Sequence, residues 1–451
     1  MRKASRPNST SFGEVLRNYR KKQGVSLRQL AQRVPYSAGW LSRIENDEAR
    51  PTMRLAELCD QELGAEGALI SMSGETSPDP SLPLRPYQLP PLTDNFTGRG
   101  RELNDLHTYW EKTQKAGDAP VITIGGPPGV GKTALAVWWA HQIQEQFPDG
   151  VLFVDLDGYS PNTEPLKSAQ VLEGFVTALG MSQNDVPADQ RQRAAMFRSV
   201  LADRRVLLVL DNAVDSSQIR DLLPGSADCT TVITSRRHLA GLAVRVGGHP
   251  TRLGPLPVAE AHALFCSIIG AGRAGRDAAA VADVCRYCSY LPLAVRIAAE
   301  KVTPHPHQPL AGLADELADR ETRLDVLTVR DDHTLSMRTL FDASYQRLDA
   351  PATRAFQLLA TRTSGEFDSI TAARILAHPL SPTIRLLECL SDIHMLEEAG
   401  FRRYAIPGLL RVHAIEASTR DSPNKATSVR PRLIRASDTM PRICESCAIR
   451  R

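Results

Sequence analysis

Residues 121–133 read VITIGGPPGVGKT, a short apolar run passing directly into Gly126-x-x-x-x-Gly131-Lys132-Thr133 and then into the helical pattern ALAVWWAHQI. A buried strand, a glycine-rich turn and a helix opening on Lys-Thr form the context of a phosphate-binding loop. Gly126, Gly129 and Gly131 let the backbone turn its N–H groups toward a phosphate. Lys132 can reach the β and γ oxygens, and the Thr133 hydroxyl can sit on Mg²⁺. The helix adds the partial positive charge of its N-terminus. A nucleotide site on an α/β fold follows.

The surrounding pattern supports that fold. Strands are expected at 121–125, 150–155 (GVLFVD), 206–210 (VLLVL) and 231–234 (TVIT). These runs are apolar without alternation, as in a parallel sheet covered on both faces. Asp211 ends the third strand, where a carboxylate downstream of a phosphate loop can hold Mg²⁺ directly or through water. The next residue is Asn212, which can orient water but cannot take its proton at neutral pH. Any ATP hydrolysis is therefore expected to be slow, a switch rather than a motor. Thr234, Ser235 and Arg236 close the fourth strand, and Arg236 can reach a γ-phosphate.

The 451 residues suffice for two to four domains. No apolar stretch approaches the length needed to span a bilayer, and the N-terminus lacks the apolar segment of a signal peptide. No membrane association and a cytoplasmic location are expected. The eight Cys are scattered, which suits a reducing compartment. Cys285/Cys288 reads as helix packing, and Cys444/Cys447 has no second ligand pair, so no zinc site is expected.

Net charge is only +3, but residues 1–54 hold twelve Lys or Arg against four acidic residues. A small basic module on a near-neutral chain fits contact with phosphate backbones. Apolar spacing predicts a helix carrying Phe12, Val15, Leu16 and Tyr19, broken by Gly24. Ser26 can cap a second helix burying Leu27, Leu30, Ala31 and Val34. After Pro35-Tyr36, Ser37 can cap a third helix burying Leu41 and Ile44, and RLAELCDQEL gives a fourth. This is a helix-turn-helix layout, whose second element enters the major groove of double-stranded DNA. Ser37, Ala38, Trp40 and Arg43 would lie near the groove, with Arg43 reaching a base edge or a phosphate. Arg28 and Arg50 would position the backbone. A small basic bundle that binds a partner protein is the alternative.

On SLRQLAQRV, SAGWLSRIEN and ARPTMRLAELCDQELGA, residues 12–69 resemble the Cro/repressor-type helix-turn-helix domain of bacterial regulators. Leu27 stands where many members have Gln, and Pro35 replaces a frequent turn glycine. The resemblance implies binding to near-palindromic sites as a dimer.

Residues 71–95 contain six prolines without apolar periodicity and read as a semi-rigid spacer. Beyond it, FTGRGREL (96–103), GGPPGVGKT, LLVLDNA (207–213), TTVITSRR (230–237) and YLPLAV (290–295) occur in the order of the NB-ARC module. That module belongs to the signal-transduction ATPases of plant resistance proteins, apoptotic scaffolds and many actinobacterial regulators. The resemblance implies ATP/ADP as ligand and Arg99 on the adenine side. It also implies Pro292 against the base, and Asp211, Asn212 and Arg236 as the catalytic set. Tyr290 stands where glycine is usual.

The resemblance also implies a helical subdomain and then a winged helix that regulates by clamping over ADP. The expected architecture is multidomain: an all-α helix-turn-helix domain (1–70), a linker (71–95) and an α/β P-loop NTPase domain (96–257). A helical subdomain (258–333), a winged-helix-like subdomain (334–415) and a basic tail (416–451) follow. The clamp of the family ends in His-Asp before Leu-Leu-Arg; here Pro407 and Gly408 occupy those places, which implies a weaker hold on ADP. His413, six residues on, stands where the family tends to have tyrosine. Family members continue into helical repeats, whereas residues 417–451 show no apolar period, eight basic and three acidic residues, and read as a degenerate or truncated end. The expected function is a DNA-binding transcriptional regulator with a nucleotide-dependent homo-oligomeric switch. The alternative is an ATPase signalling scaffold whose N-terminal module binds protein.

Overall fold

The computed structural model describes residues 11–34, 38–46, 51, 53–72, 85–160, 163–332 and 334–420. The chain divides into two units, Met1–Leu84 and Arg85–Arg451.

The first unit is helical. Helix α1 (Phe12–Lys22) is capped by Ser11, whose hydroxyl accepts Glu14 N–H at 3.1 Å. Helix α2 (Leu27–Arg33) opens on a capping box between Ser26 and Gln29, which satisfies two otherwise orphaned N–H groups. Helices α3 (Ala38–Glu45), α4 (Met53–Leu63) and α5 (Ala68–Met72) follow. Leu16, Leu30, Val34, Leu41, Ile44, Leu55 and Leu63 form the core. The expected Val15, Tyr19, Leu27 and Ala31 pack against it while staying partly exposed. The sequence pattern did not single out α5. The Asp60 carboxylate anchors it, accepting Gly67 N–H at 2.8 Å and Leu69 N–H at 2.9 Å.

The second unit is built on a parallel five-stranded sheet of order β2-β3-β4-β1-β5. Its strands are β1 (Val121–Gly125), β2 (Val151–Asp155), β3 (Leu207–Ala213), β4 (Thr230–Ser235) and β5 (His249–Arg252). Side chains alternate between two cores, as strand geometry requires. Ile122, Ile124, Leu207 and Val209 face helices α6 (Gly100–Ala116) and α7 (Lys132–Ile143). Val121, Leu208 and Leu210 face helices α8 (Ser168–Ala178) and α9 (Gln190–Leu201). Placing β4 between β1 and β3 brings the ends of the phosphate loop, Asp211 and Thr234 to one edge. The ladder slips between Leu210 and Ala213, so Asp211 and Asn212 lie in a bulge.

Part of the proline-rich stretch lies along this sheet. Pro86 O accepts Val151 N–H at 2.6 Å, and Gln88 N–H reaches Val151 O at 3.1 Å. Arg296 Nη1 donates to Asp94 O at 2.6 Å.

Six helices follow: Val258–Ile269, Ala271–Arg276, Ala278–Tyr287, Pro292–Val302, Leu310–Ala318 and Arg323–Val326. Cys285 and Cys288 are buried among them. The last part of the chain has helices at Met337–Tyr345, Ala350–Arg362, Ser369–Leu376, Leu380–Asp392 and Gly408–Arg420. They surround a small antiparallel sheet of order β6-β8-β7, made from β6 (Phe367–Asp368), β7 (Glu397–Gly400) and β8 (Arg403–Ala405). Helices with a three-stranded wing are the winged-helix arrangement. No helix of the described residues is long and apolar enough to cross a membrane.

Candidate nucleotide-binding site

The loop between β1 and α7 carries the first half of the site. At Gly126 a Cβ would come within 2.6 Å of the Leu253 carbonyl oxygen, so no larger residue fits there without moving backbone. Gly131 precedes α7 at φ +90°, a left-handed conformation that glycine adopts freely. Lys132 is buried, and its Nζ donates to Gly126 O and Pro127 O, both at 2.9 Å. Burial first, and the neighbouring Arg236 charge second, push its pKa down to about 7. A desolvated ammonium in a loop of inward-turned backbone is suited to an anion.

The second half comes from β3 and β4. Thr133 Oγ1 lies 2.9 Å from both Asp211 carboxylate oxygens, and Thr234 Oγ1 donates to Asp211 Oδ1 at 2.5 Å. Asp211 is buried, and burial raises its pKa although both threonine hydrogen bonds pull it down. One carboxylate and one hydroxyl, with phosphate oxygens and water completing the shell, is a donor set that suits Mg²⁺. Among the described residues there is no group of three or more His, Cys, Asp or Glu side chains placed to hold a metal ion by themselves.

Asn212 takes φ +58°, and its Nδ2 donates to Asp155 Oδ1 at 3.2 Å. Asp155 pairs with Asp211 in register across β2 and β3. This exposed carboxylate at the edge was not singled out from the sequence. Its only linear signal was an acid ending the second strand.

Arg99 sits at φ +64° before α6, with its guanidinium turned into the protein. Nη2 donates to Val130 O at 3.1 Å and Gly254 O at 2.6 Å, and Nη1 to Glu102 at 2.8 Å. It thereby ties the phosphate loop to the segment after β5. Pro292 opens its helix beside the same loop, and Leu293 N–H donates to Gly129 O at 3.2 Å. Tyr290 and Ser289 both lie in the left-handed region, at φ +54° and +51°. The expected place of a glycine at 290 is thus a backbone position that glycine would fill with least strain.

Arg236 is buried, and its Nη1 donates to Leu340 O at 2.8 Å and Ser344 Oγ at 2.9 Å. Its guanidinium carbon lies 4.7 Å from the Tyr159 ring centroid. In this structure it joins the exit of β4 to the helix Met337–Tyr345.

Gly408 begins the last helix, and a Cβ there would lie 2.8 Å from Ser289 Oγ. His413 is fully buried in that helix, its Nε2 2.7 Å from Asp342 Oδ1. Of the residues expected at DNA, Arg43 is exposed on α3, while Arg28 lies in α2 and Trp40 in α3. Ser37 and Arg50 lie outside the described residues, as do Cys444 and Cys447.

Residues 11–71 match the family model of a helix-turn-helix domain, and residues 103–275 that of the NB-ARC domain. The regulatory protein AfsR of Streptomyces coelicolor is 38% identical over 368 residues, covering 81% of this chain and 36% of AfsR. AfsR of Streptomyces griseus is 38% identical over 373 residues, covering 82% of this chain and 37% of the relative. The chain thus spans little more than a third of the length of these relatives. Among solved structures, a signal-transduction ATPase with a tetratricopeptide repeat sensor from Pyrococcus horikoshii aligns over 74% of this chain and 45% of its own, at 16% identity and a TM-score of 0.31. That superposition is partial, and the fold assignment stands on the sheet order and the family models. The chain joins a helix-turn-helix domain to an NB-ARC module, and over most of its length it is homologous to AfsR.

Proposed function

We propose that the chain is a DNA-binding transcriptional regulator in which an ATP/ADP switch controls self-association. The observation that carries the nucleotide half is the buried Lys132 ammonium beside the Thr133–Asp211–Thr234 cluster, all at one edge of the sheet. Lys132 and the loop N–H groups bind the phosphates, and Thr133 with Asp211 holds Mg²⁺. Pro292 stands beside the loop for the base. Mg²⁺, when bound, neutralises phosphate charge. Asn212 follows Asp211 and orients water without accepting its proton, so turnover is slow.

The DNA half rests on the capped helix α2, on α3 and on the basic charge of the first unit, with Arg43 on the exposed side of α3. Arg28, Ser37, Trp40 and Arg50 are the further residues assigned to DNA in this proposal. Opening of the ATPase unit by ATP brings protomers together and pairs their reading helices on an operator. The relatives' name, regulatory protein, agrees with this role.

The test is the nucleotide released from freshly purified protein, together with a mobility shift on upstream DNA. About one ADP per chain, lost in K132A, with a sequence-specific shift lost in R43A, supports the proposal. Protein that retains neither ADP nor ATP removes the switch. DNA binding that stays non-specific, and indifferent to R43A, assigns the first unit to a protein partner instead.

A further inference from the structure

A cavity of about 400 Å³ lies between the end of the helical subdomain and the winged helix. Arg320 and Arg323 line it from one side, and Ser364, Glu366 and Arg411 from the other. None of the residues assigned above to the nucleotide borders it, from the phosphate loop to Asp211, Arg236 and Pro292.

Two of its three guanidiniums are fixed from behind. Arg323 Nε donates to Leu317 O at 2.5 Å and its Nη2 to Ala318 O at 3.0 Å, at the C-terminal end of the helix Leu310–Ala318. Arg411 Nη1 donates to Ala360 O at 2.9 Å and to Thr363 O, at the end of the helix Ala350–Arg362. The carbonyl ends of helices hold cations in this way. Arg323 Nη1 and Arg411 Nε and Nη2 find no hydrogen-bond partner among the described residues. Arg320 is exposed and has neither a hydrogen bond nor an ion pair among them.

The three charges are also poorly compensated. Burial first, and the Arg320 charge second, lower the pKa of both Arg323 and Arg411. Glu366 is the acid of the lining, and Arg403 Nη2 already engages it at 3.1 Å. Three cations against one acid leave two positive charges, which a phosphomonoester dianion balances. The guanidinium fork matches phosphate oxygens, and the Ser364 hydroxyl adds a neutral donor. The cavity has more room than a phosphate fills, and Ile406, Val412 and Ile415 give the rest of its wall an apolar surface.

We propose that this cavity binds a small organic phosphate, with the phosphoryl group among Arg320, Arg323 and Arg411 and the organic body against Ile406, Val412 and Ile415. The site is separate from the nucleotide site and does not depend on that reading. A molecule held there touches the helical subdomain and the winged helix at once, so it stabilises the arrangement that joins them.

The test is calorimetry on the full chain with ADP in excess, titrating phenyl phosphate, inorganic phosphate and phthalate, in wild type, R320A, R411A and K132A. Phenyl phosphate is expected to bind best of the three, and K132A to leave its affinity unchanged. R320A is expected to weaken it about tenfold, as loss of one charge-assisted hydrogen bond does. Hydrogen exchange at 364–366 and 408–415 is expected to slow when phenyl phosphate binds. Arg320 has no partner to lose, so R320A carries the test if R411A does not fold. Phenyl phosphate binding that is lost in K132A but unchanged in R320A and R411A places the ligand on the phosphate loop and overturns the proposal. Inorganic phosphate binding as tightly as phenyl phosphate overturns the organic body and leaves a free-anion site. Phthalate binding equally well overturns the preference for phosphate. Wild type with no saturable binding of phenyl phosphate below about 10 mM overturns the site altogether.

Discussion

Thr234 Oγ1 lies 2.5 Å from Asp211 Oδ1 across the carboxyl ends of β3 and β4, and the same oxygen accepts the Asn212 backbone N–H at 2.9 Å. One hydroxyl therefore orients the carboxylate and holds the bulge that presents it. Valine at 234 keeps the shape and removes both bonds. Losing a hydrogen bond to a charged group is worth about 1.5–3 kcal/mol. T234V is therefore expected to weaken Mg²⁺-dependent ATP binding about ten- to a hundredfold, and Mg²⁺-free ADP binding much less. Calorimetry with and without Mg²⁺ checks this; an equal loss in both conditions would show that Thr234 does not act through Asp211.

Lys132 makes the protein's stability depend on pH in a defined direction. Its folded pKa, about 7, lies below the ordinary 10.5 because the ammonium is buried beside Arg236. Between those values the unfolded chain holds a proton that the folded chain has released, so stability rises with pH across that window. Below about 7 the penalty is present in full. In nucleotide-free protein, K132M is expected to raise the melting temperature at pH 7 and to flatten the rise toward pH about 9.5. Melting curves across that range decide it, and parallel curves for the two proteins would exclude the buried charge as the cause.

What the linear sequence showed, and what it withheld, divide along a physical line. The phosphate loop, the first four strands and the cap at Ser26 are local patterns, written in adjacent residues. Strand β5 was not legible because His249–Arg252 is a short edge strand with Pro250 and alternating exposure, without the apolar run of its neighbours. The contact of Asn212 with Asp155 spans 57 positions, and the approach of His394 to Gly125 spans far more. Such pairs exist only once the sheet order has formed. Arg99 shows the converse, since its motif was readable but its guanidinium is engaged by Val130 and Gly254 carbonyls.

In the first unit, Glu45 is 5% exposed and accepts Arg20 Nε at 2.5 Å and Nη2 at 2.8 Å, with Arg17 Nε at 3.4 Å. This forked pair ties α1 to the end of α3, the helix expected at DNA. Removing one partner of a buried ion pair leaves the other charge uncompensated, at a cost of about 3–5 kcal/mol. E45A in the full chain is expected to speed hydrogen exchange throughout α1–α3, to leave β1–β4 protected, and to abolish the DNA shift. Unchanged exchange in α1 and α3 would mean that the apolar core alone holds these helices.

Arg236 is a buried cation whose hydrogen-bond partners are the Leu340 carbonyl and the Ser344 hydroxyl, in the last turns of the helix Met337–Tyr345. The C-terminal end of a helix attracts positive charge. Burial first, with Arg347 adding to it, pushes Arg236 down to about 10 against the pull of Tyr159. Arg347 shares the Tyr159 ring, 5.0 Å from its centroid, so two cations lie against one aromatic ring. The Arg236 hydrogen bonds join the helix Met337–Tyr345 to the exit of β4. R236A removes contacts worth about 1.5–3 kcal/mol and is expected to speed exchange across Met337–Tyr345 about ten- to a hundredfold, with β1–β4 unchanged. Lysine at 236 lacks the planar fork and is expected to restore only part of the protection. If R236A instead lowers ATP affinity while that helix exchanges as in wild type, phosphate contact is the main task of Arg236. The bonds to Leu340 and Ser344 are then incidental to switching.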